Sequence, residues 1–246
     1  MNIRPCIFFM KNVAIIMAAG HGSRIGGTPK QFLPVNGKMM VEYAIQTFQE
    51  HPRIDEIMVM LPQEYLGEME QKLRSGYSKI SCCVAGGAER FQSSWEAIRR
   101  FSNRREDRLL LHDAARPLLS ARIIDDVLLA LERTQAAVTA VPATDTILKV
   151  SGNGDSLQLD GILPRKELYC AQTPQAFQAG LLCDAFGKLM SQAAFVPTDE
   201  SGVVAHFFPE IPIEIVQGEA DNFKVTYSTD LEQLELLVSG KNKNSR

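Results

Sequence analysis

The sequence predicts an α/β protein: a doubly wound, mostly parallel β-sheet with helices on both faces and a β-hairpin arm protruding from the main body. Short uninterrupted apolar runs recur along the chain, segments of helical spacing lie between them, and one turn-rich stretch is flanked by alternating residues. The composition suits that class. Of 246 residues 45% are apolar and 22% charged, which excludes disorder, collagen-like repetition and a disulfide scaffold.

Taken in order, Val13 to Met17 is an apolar run ending at a glycine-rich stretch, as a strand covered on both faces requires. Similar runs at Ile57 to Leu61, Leu109 to Leu111 and Ala137 to Val141 read as further strands. Helical spacing appears at Val41, Ala44, Ile45 and Phe48, at Trp95, Ile98 and Phe101, and at Ile123, Ile124, Val127, Leu128 and Leu131. Ligands of such sheets bind beyond the carboxyl ends of the strands.

Between residues 144 and 165 the pattern changes. Two short alternating segments flank Ser151-Gly152-Asn153-Gly154-Asp155-Ser156, which reads as a hairpin arm; a lone hairpin is marginal in water and should pack on something, a second subunit being the natural candidate. The closing segment predicts strands at Ile213 to Val216 and Phe223 to Val225, then a helix from about Thr229 to Val238 with Ser228 as N-cap. Residues 1–10 read as a tail, 11–240 as one domain carrying the arm, and 241–246 as a fraying end.

The charge excludes some functions. With 29 acids against 26 bases the net charge is −3, so there is no basic field for a nucleic-acid partner. Cys6, Cys82, Cys83, Cys170 and Cys183 show no C-x-x-C spacing and read as reduced thiols of a cytoplasmic protein. Lys11 and Asn12 interrupt the apolar lead, and no stretch approaches the roughly 18 to 20 apolar residues of a membrane span. A soluble, cytoplasmic protein is expected.

Three segments carry candidate chemistry. In AAGHGSRIGGTPKQ, Gly20, Gly22, Gly26 and Gly27 allow backbone N–H groups to approach phosphate oxygens, and Arg24 and Lys30 add positive charge. No Gly-Lys-Ser/Thr opens a helix, which excludes a P-loop; Ile25 and Pro62 stand where a dinucleotide fingerprint needs a glycine and an acid. In HDAARP, Asp113 ends a strand and is placed to hold Mg²⁺, with Arg116 free for a second anion; an N-cap or a local Asp113–Arg116 pair is the plainer reading. In ADNFKVT, Asp221 would complete the metal site and Lys224 would neutralise a phosphoryl oxygen, unless the two form a surface ion pair.

Other candidates are weaker. Asp199 and Glu200 fit an N-cap with a first-turn acid better than a catalytic pair. His21, His51, His112 and His206 share no metal spacing, Trp95 reads as core, and Ser93 and Ser94 lack a nucleophile elbow.

In order, AAGHGSR with PKQ, GGAER, HDAARP, PATDT, LPRKELYCAQTPQAF, TDES and ADNFKVT make the chain resemble the 2-C-methyl-D-erythritol 4-phosphate cytidylyltransferases of non-mevalonate isoprenoid biosynthesis, from Asn12 to about Val238. The resemblance implies a Rossmann-like sheet of the nucleotidyltransferase type, a homodimer joined by the arm, and Mg²⁺-dependent transfer of CMP from CTP. It also implies residue roles. Arg24 and Lys30 would stabilise the pentavalent phosphorus, Asp113 and Asp221 hold the metal, and Lys224 position the α-phosphate and the incoming sugar phosphate. Ala18, Ala19, Gly20 and Gly22 would line the phosphates, and Gly86, Gly87 and Ser93 the cytosine pocket. Arg116, Thr146, Thr173 and the catalytic Arg165 of the partner's arm would surround the erythritol phosphate. Ala88 departs from the acid several members carry after the double glycine, and Phe91-Gln92 from a smaller pair. Ribitol 5-phosphate as acceptor, or a CTP-binding module without turnover, are the rival readings.

Overall fold

The computed structural model describes residues 10–20, 29–154, 156–192 and 195–244. The chain runs through β1 (Asn12–Met17), β2 (Pro34–Val35), β3 (Lys38–Met39), α1 (Met40–Glu50), β4 (Glu56–Leu61), α2 (Leu66–Gly76), β5 (Ile80–Ala85), α3 (Arg90–Ile98), β6 (Arg108–Asp113) and α4 (Ala121–Ala130). It continues through β7 (Ala136–Pro142), β8 (Leu148–Asn153), β9 (Ser156–Ile162), β10 (Tyr169–Gln178), α5 (Ala179–Ser191), α6 (Glu200–Phe207), β11 (Ile213–Gln217) and α7 (Ser228–Asn244).

Seven strands form the central sheet in the order β11-β7-β10-β6-β1-β4-β5. All neighbours are parallel except β10, which runs antiparallel to both β6 and β7. The expected α/β architecture is present.

The apolar runs have their cause in this arrangement, because successive strand side chains point to opposite faces. Ala14 and Ile16 of β1 join Val41, Ile45 and Phe48 of α1 and Ile123, Val127 and Leu128 of α4 on one face. Val13 and Ile15 join Ala97 and Ile98 of α3, Leu182 and Phe186 of α5 and Val203 and Val204 of α6 on the other. Since helices cover both faces, no alternation survives in the sequence.

Three expectations need correction. Phe223 to Val225 is no strand: Val225 donates its N–H to Ala115 and accepts from the Lys30 ammonium, so loops rather than a ladder take its backbone groups. Ser228 is the first residue of α7 rather than its cap; the Asp230 carboxylate accepts from the N–H groups of Thr226 and Tyr227 at 2.7 and 2.8 Å. That helix also runs through Gly240 to Asn244, since one helical glycine costs only about 1 kcal/mol. Beyond these, β10 is a strand that the apolar-run pattern does not mark; it contains Pro174, and its pairing with β7 shifts register between Ala171 and Gln175.

The segments around 144–165 pair as β8 with β9 in a separate two-stranded antiparallel sheet. Leu148, Val150, Leu157, Leu159 and Ile162 on it are exposed. No described helix is long and apolar enough to cross a membrane.

Candidate active site

A cavity of about 360 Å³ opens at the carboxyl ends of the parallel strands. The segment after β1 supplies Ala18, Ala19 and Gly20, the turn after β5 supplies Gly87 and Ala88, α3 supplies Arg90 and Ser93, β6 ends in it with Asp113, and the segment after β11 adds Lys224 and Thr226. Lys30 and Gln31 also line it.

Backbone geometry keeps its sides close. Buried Gln31 donates to the carbonyls of Ala18 and Gly20, both at 2.8 Å, and so shapes the chain leaving β1. At Gly86 an added Cβ would collide with the Ala19 Cβ and lie 2.7 Å from the Ser93 hydroxyl, so glycine is required. Ser93, almost fully buried, accepts from the Gly87 N–H at 3.0 Å.

The charged centre is Asp113. Its Oδ2 accepts from Lys224 Nζ at 2.7 Å and its Oδ1 from Arg90 Nη2 at 3.2 Å. Burial alone would raise this carboxyl, but the Arg90 guanidinium and Lys224 ammonium beside it prevail and hold it well below the ordinary carboxylate range. Asp113 is therefore an anion at neutral pH. Arg90 is gripped from behind by Glu200, Nη1 to Oε1 at 2.7 Å and Nη2 to Oε2 at 3.0 Å, and the Ser94 hydroxyl donates to the same Oε1 at 2.5 Å. Desolvation opposes the guanidinium charge, yet Glu200 and Asp113 raise its pKa above the ordinary arginine value.

Behind Asp113 lies a fixed hydrogen-bond chain. The Asp113 N–H donates to Thr173 Oγ1 at 3.1 Å, and Thr173 Oγ1 is 3.0 Å from His112 Nδ1, while His112 Nε2 is 2.9 Å from the Arg116 carbonyl. A carbonyl only accepts, so Nε2 carries the proton and Nδ1 accepts from the threonine. Burial pushes this imidazole down to about 4, against the pull of the Arg116 carbonyl, and it is neutral.

A family model for 2-C-methyl-D-erythritol 4-phosphate cytidylyltransferase matches residues 12–239. The chain belongs to that family. A cytidylyltransferase of this name from Thermobifida fusca is 38% identical over 229 residues, 92% of each chain. The bifunctional ribulose 5-phosphate reductase/CDP-ribitol pyrophosphorylase of Haemophilus influenzae is also 38% identical, over 224 residues that span 90% of this chain but 47% of that protein. Among solved structures, 4-diphosphocytidyl-2C-methyl-D-erythritol synthase from Anaerococcus prevotii superposes with a TM-score of 0.81 at 26% identity, covering 94% of this chain and 99% of that one. The Thermus thermophilus cytidylyltransferase gives 0.74 at 28% identity, covering 93% and 99%.

Of the residues the family resemblance singles out, Ala18, Ala19, Gly20, Lys30, Gly87, Ser93, Asp113 and Lys224 converge on the cavity, with Gly86 packed behind its wall. Gly22 and Arg24 lie outside the described residues. Asp221 is exposed and is not among the residues that line the cavity, whereas Asp113 is. Arg116 donates to the carbonyls of Asn222 and Ala171, and Thr173 holds the Asp113 backbone; both brace the site from outside its lining. Arg165 and Thr146 are exposed at the base of the β8–β9 arm, where Arg165 donates to the Thr144 carbonyl.

The ion pair of Arg90 with Glu200 at this cavity was not anticipated from the sequence, which weighed Glu200 only beside Asp199 and did not single out Arg90. Both stand in motifs, GGAER and TDES, but Glu200 had a sufficient explanation as a first-turn acid. Asp199 does cap α6, accepting from the Gly202 N–H at 2.8 Å.

Among the described residues no three His, Cys, Asp or Glu side chains lie close enough to cage a metal. Mg²⁺ on a nucleotide takes one or two carboxylates, with phosphate oxygens and water completing its shell. An ionised Asp113 at the cavity wall fits that mode.

Proposed function

We propose that the chain transfers CMP from CTP to 2-C-methyl-D-erythritol 4-phosphate, releasing pyrophosphate and forming 4-diphosphocytidyl-2-C-methyl-D-erythritol. The observation that carries this reading is the convergence of Lys30, Arg90, Asp113 and Lys224, from four separate segments, on one cavity at the strand ends.

The chemistry asks mainly for charge control. A phosphate monoester has a second pKa near 6, so its attacking oxygen is ionised at neutral pH and no general base is needed. Two polyanions must approach instead, and unit charges about 4 Å apart repel by roughly 4 kcal/mol at an effective dielectric of 20. Lys30 and Lys224 offset that repulsion as charge builds on the transferring phosphorus, together with Arg24. Mg²⁺, held by Asp113, would supply further neutralisation of the phosphate oxygens. The cytosine would rest near Gly86, Gly87 and Ser93.

The second anion site is completed by a partner in this reading. The exposed apolar residues of β8 and β9 would pack on another copy of the chain, bringing that copy's Arg165 and Thr146 to the acceptor phosphate.

Pyrophosphate release from CTP and Mg²⁺ is measured with 2-C-methyl-D-erythritol 4-phosphate, with ribitol 5-phosphate, and with neither. Release that depends on the erythritol phosphate is expected. Preference for ribitol 5-phosphate would replace the acceptor, a reading the Haemophilus influenzae relative keeps in view, and CTP binding without release under any condition would overturn the transferase assignment.

A further inference from the structure

We propose that Glu200 is a positioning residue: it holds Arg90 so that the guanidinium meets one oxygen of Asp113 and leaves the other to exchange between Lys224 and the magnesium of an incoming nucleotide. The inference rests on the cytidylyltransferase reading and on Asp113 as its metal carboxylate.

Glu200 opens α6, Arg90 opens α3 and Asp113 ends β6, so one guanidinium ties three elements together at the cavity. The Glu200 carboxylate is fully buried, and both its oxygens are taken by Arg90. Ser94, also fully buried, fixes it from α3. A bidentate pair of this kind has a single preferred orientation. Arg90 thereby spends both terminal nitrogens on Glu200 and extends only Nη2 to Asp113, at 3.2 Å, against 2.7 Å for Lys224 on the other oxygen.

Without the Glu200 charge, the same planar fork matches the Asp113 carboxylate equally well and would close on both its oxygens. That closure would displace Lys224 and cover the oxygen a metal needs. Glu200 thus keeps a strong cation beside Asp113 from capturing it, and Lys224, half-exposed, is the partner that can leave.

The test uses the full chain with Glu200→Gln, Glu200→Asp and the double variant Arg90→Gln/Glu200→Gln. Mn²⁺ retention, alone and with CTP but without acceptor, is read by electron paramagnetic resonance, beside the Mg²⁺ concentration giving half-maximal pyrophosphate release; circular dichroism checks folding. Glu200→Gln is expected to weaken Mn²⁺ retention about 10-fold, the loss typical of groups that orient metal ligands, with a smaller change in turnover at saturating metal. The double variant, lacking the released guanidinium, recovers most of that affinity, which no merely structural role predicts. Should Glu200→Gln fail to fold, Glu200→Asp, which retracts the carboxylate by one methylene, shows a smaller weakening in the same sense. Unchanged Mn²⁺ retention in the folded Glu200 variants, or a double variant no better than Glu200→Gln, overturns the proposal. A wild-type chain that neither retains Mn²⁺ with CTP nor releases pyrophosphate would instead remove the reading beneath it.

Discussion

His112 makes the stability of this protein depend on pH in a calculable way. Its imidazole is fully buried, held neutral between Thr173 and the Arg116 carbonyl, and its pKa falls from 6.5 to about 4. Between those values the unfolded chain takes up a proton that the native state refuses, so the contribution is fully present above pH 6.5 and is lost as pH falls toward 4. At about 1.36 kcal/mol per tenfold, the whole gap is worth roughly 3 kcal/mol, and about 2 kcal/mol of it is lost between pH 7 and pH 5. The assay is urea unfolding at both pH values for the wild type and for His112→Gln, whose amide can donate to Arg116 and accept from Thr173 but does not titrate. Subtracting the two pH differences cancels the other acids. The wild type should lose about 2 kcal/mol more than the variant across this interval; equal losses would refute the assignment of a neutral, buried His112 as the titrating group.

Other outcomes follow from the site and the arm. Lys30→Ala, and equally Arg24→Ala, should lower turnover by a few powers of ten, about 3 to 4 kcal/mol, in variants with wild-type unfolding curves, as steady-state pyrophosphate release would measure. Gly86→Ala forces a Cβ against Ala19 and Ser93, and should cost about 1 to 3 kcal/mol in thermal unfolding while raising the KM for CTP. Charging the arm with Leu157→Asp and Leu159→Asp should yield a folded monomer by analytical ultracentrifugation, with turnover lost if the partner's Arg165 serves the acceptor site.

Much of the scaffold was legible because burial acts residue by residue. Strands β1, β4, β6 and β7 announce themselves as apolar runs, and α1, α3 and α4 as helical spacing, whatever their order in the sheet. Lys30, Lys224 and Asp113 were likewise visible, since a glycine-rich segment or an aspartate leaving a buried strand points to the carboxyl edge of a parallel sheet. The family resemblance then drew together motifs more than 200 residues apart.

Polar partnerships are a different matter. Arg90 and Glu200 are 110 residues apart, and they meet only because α3 and α6 pack on the same face of the sheet. Thr173 braces Asp113 because β10 enters antiparallel beside β6, a placement no local pattern encodes and that Pro174 argues against. Val225 looks extended by sequence, yet its backbone groups are claimed by Ala115 and Lys30. By itself the sequence determined which residues would be buried and which charges would lie near strand ends, because those follow from local periodicity. Only the tertiary structure decided which charge neutralises which, because a hydrogen bond acts over about 3 Å and that distance is set by strand order and helix packing.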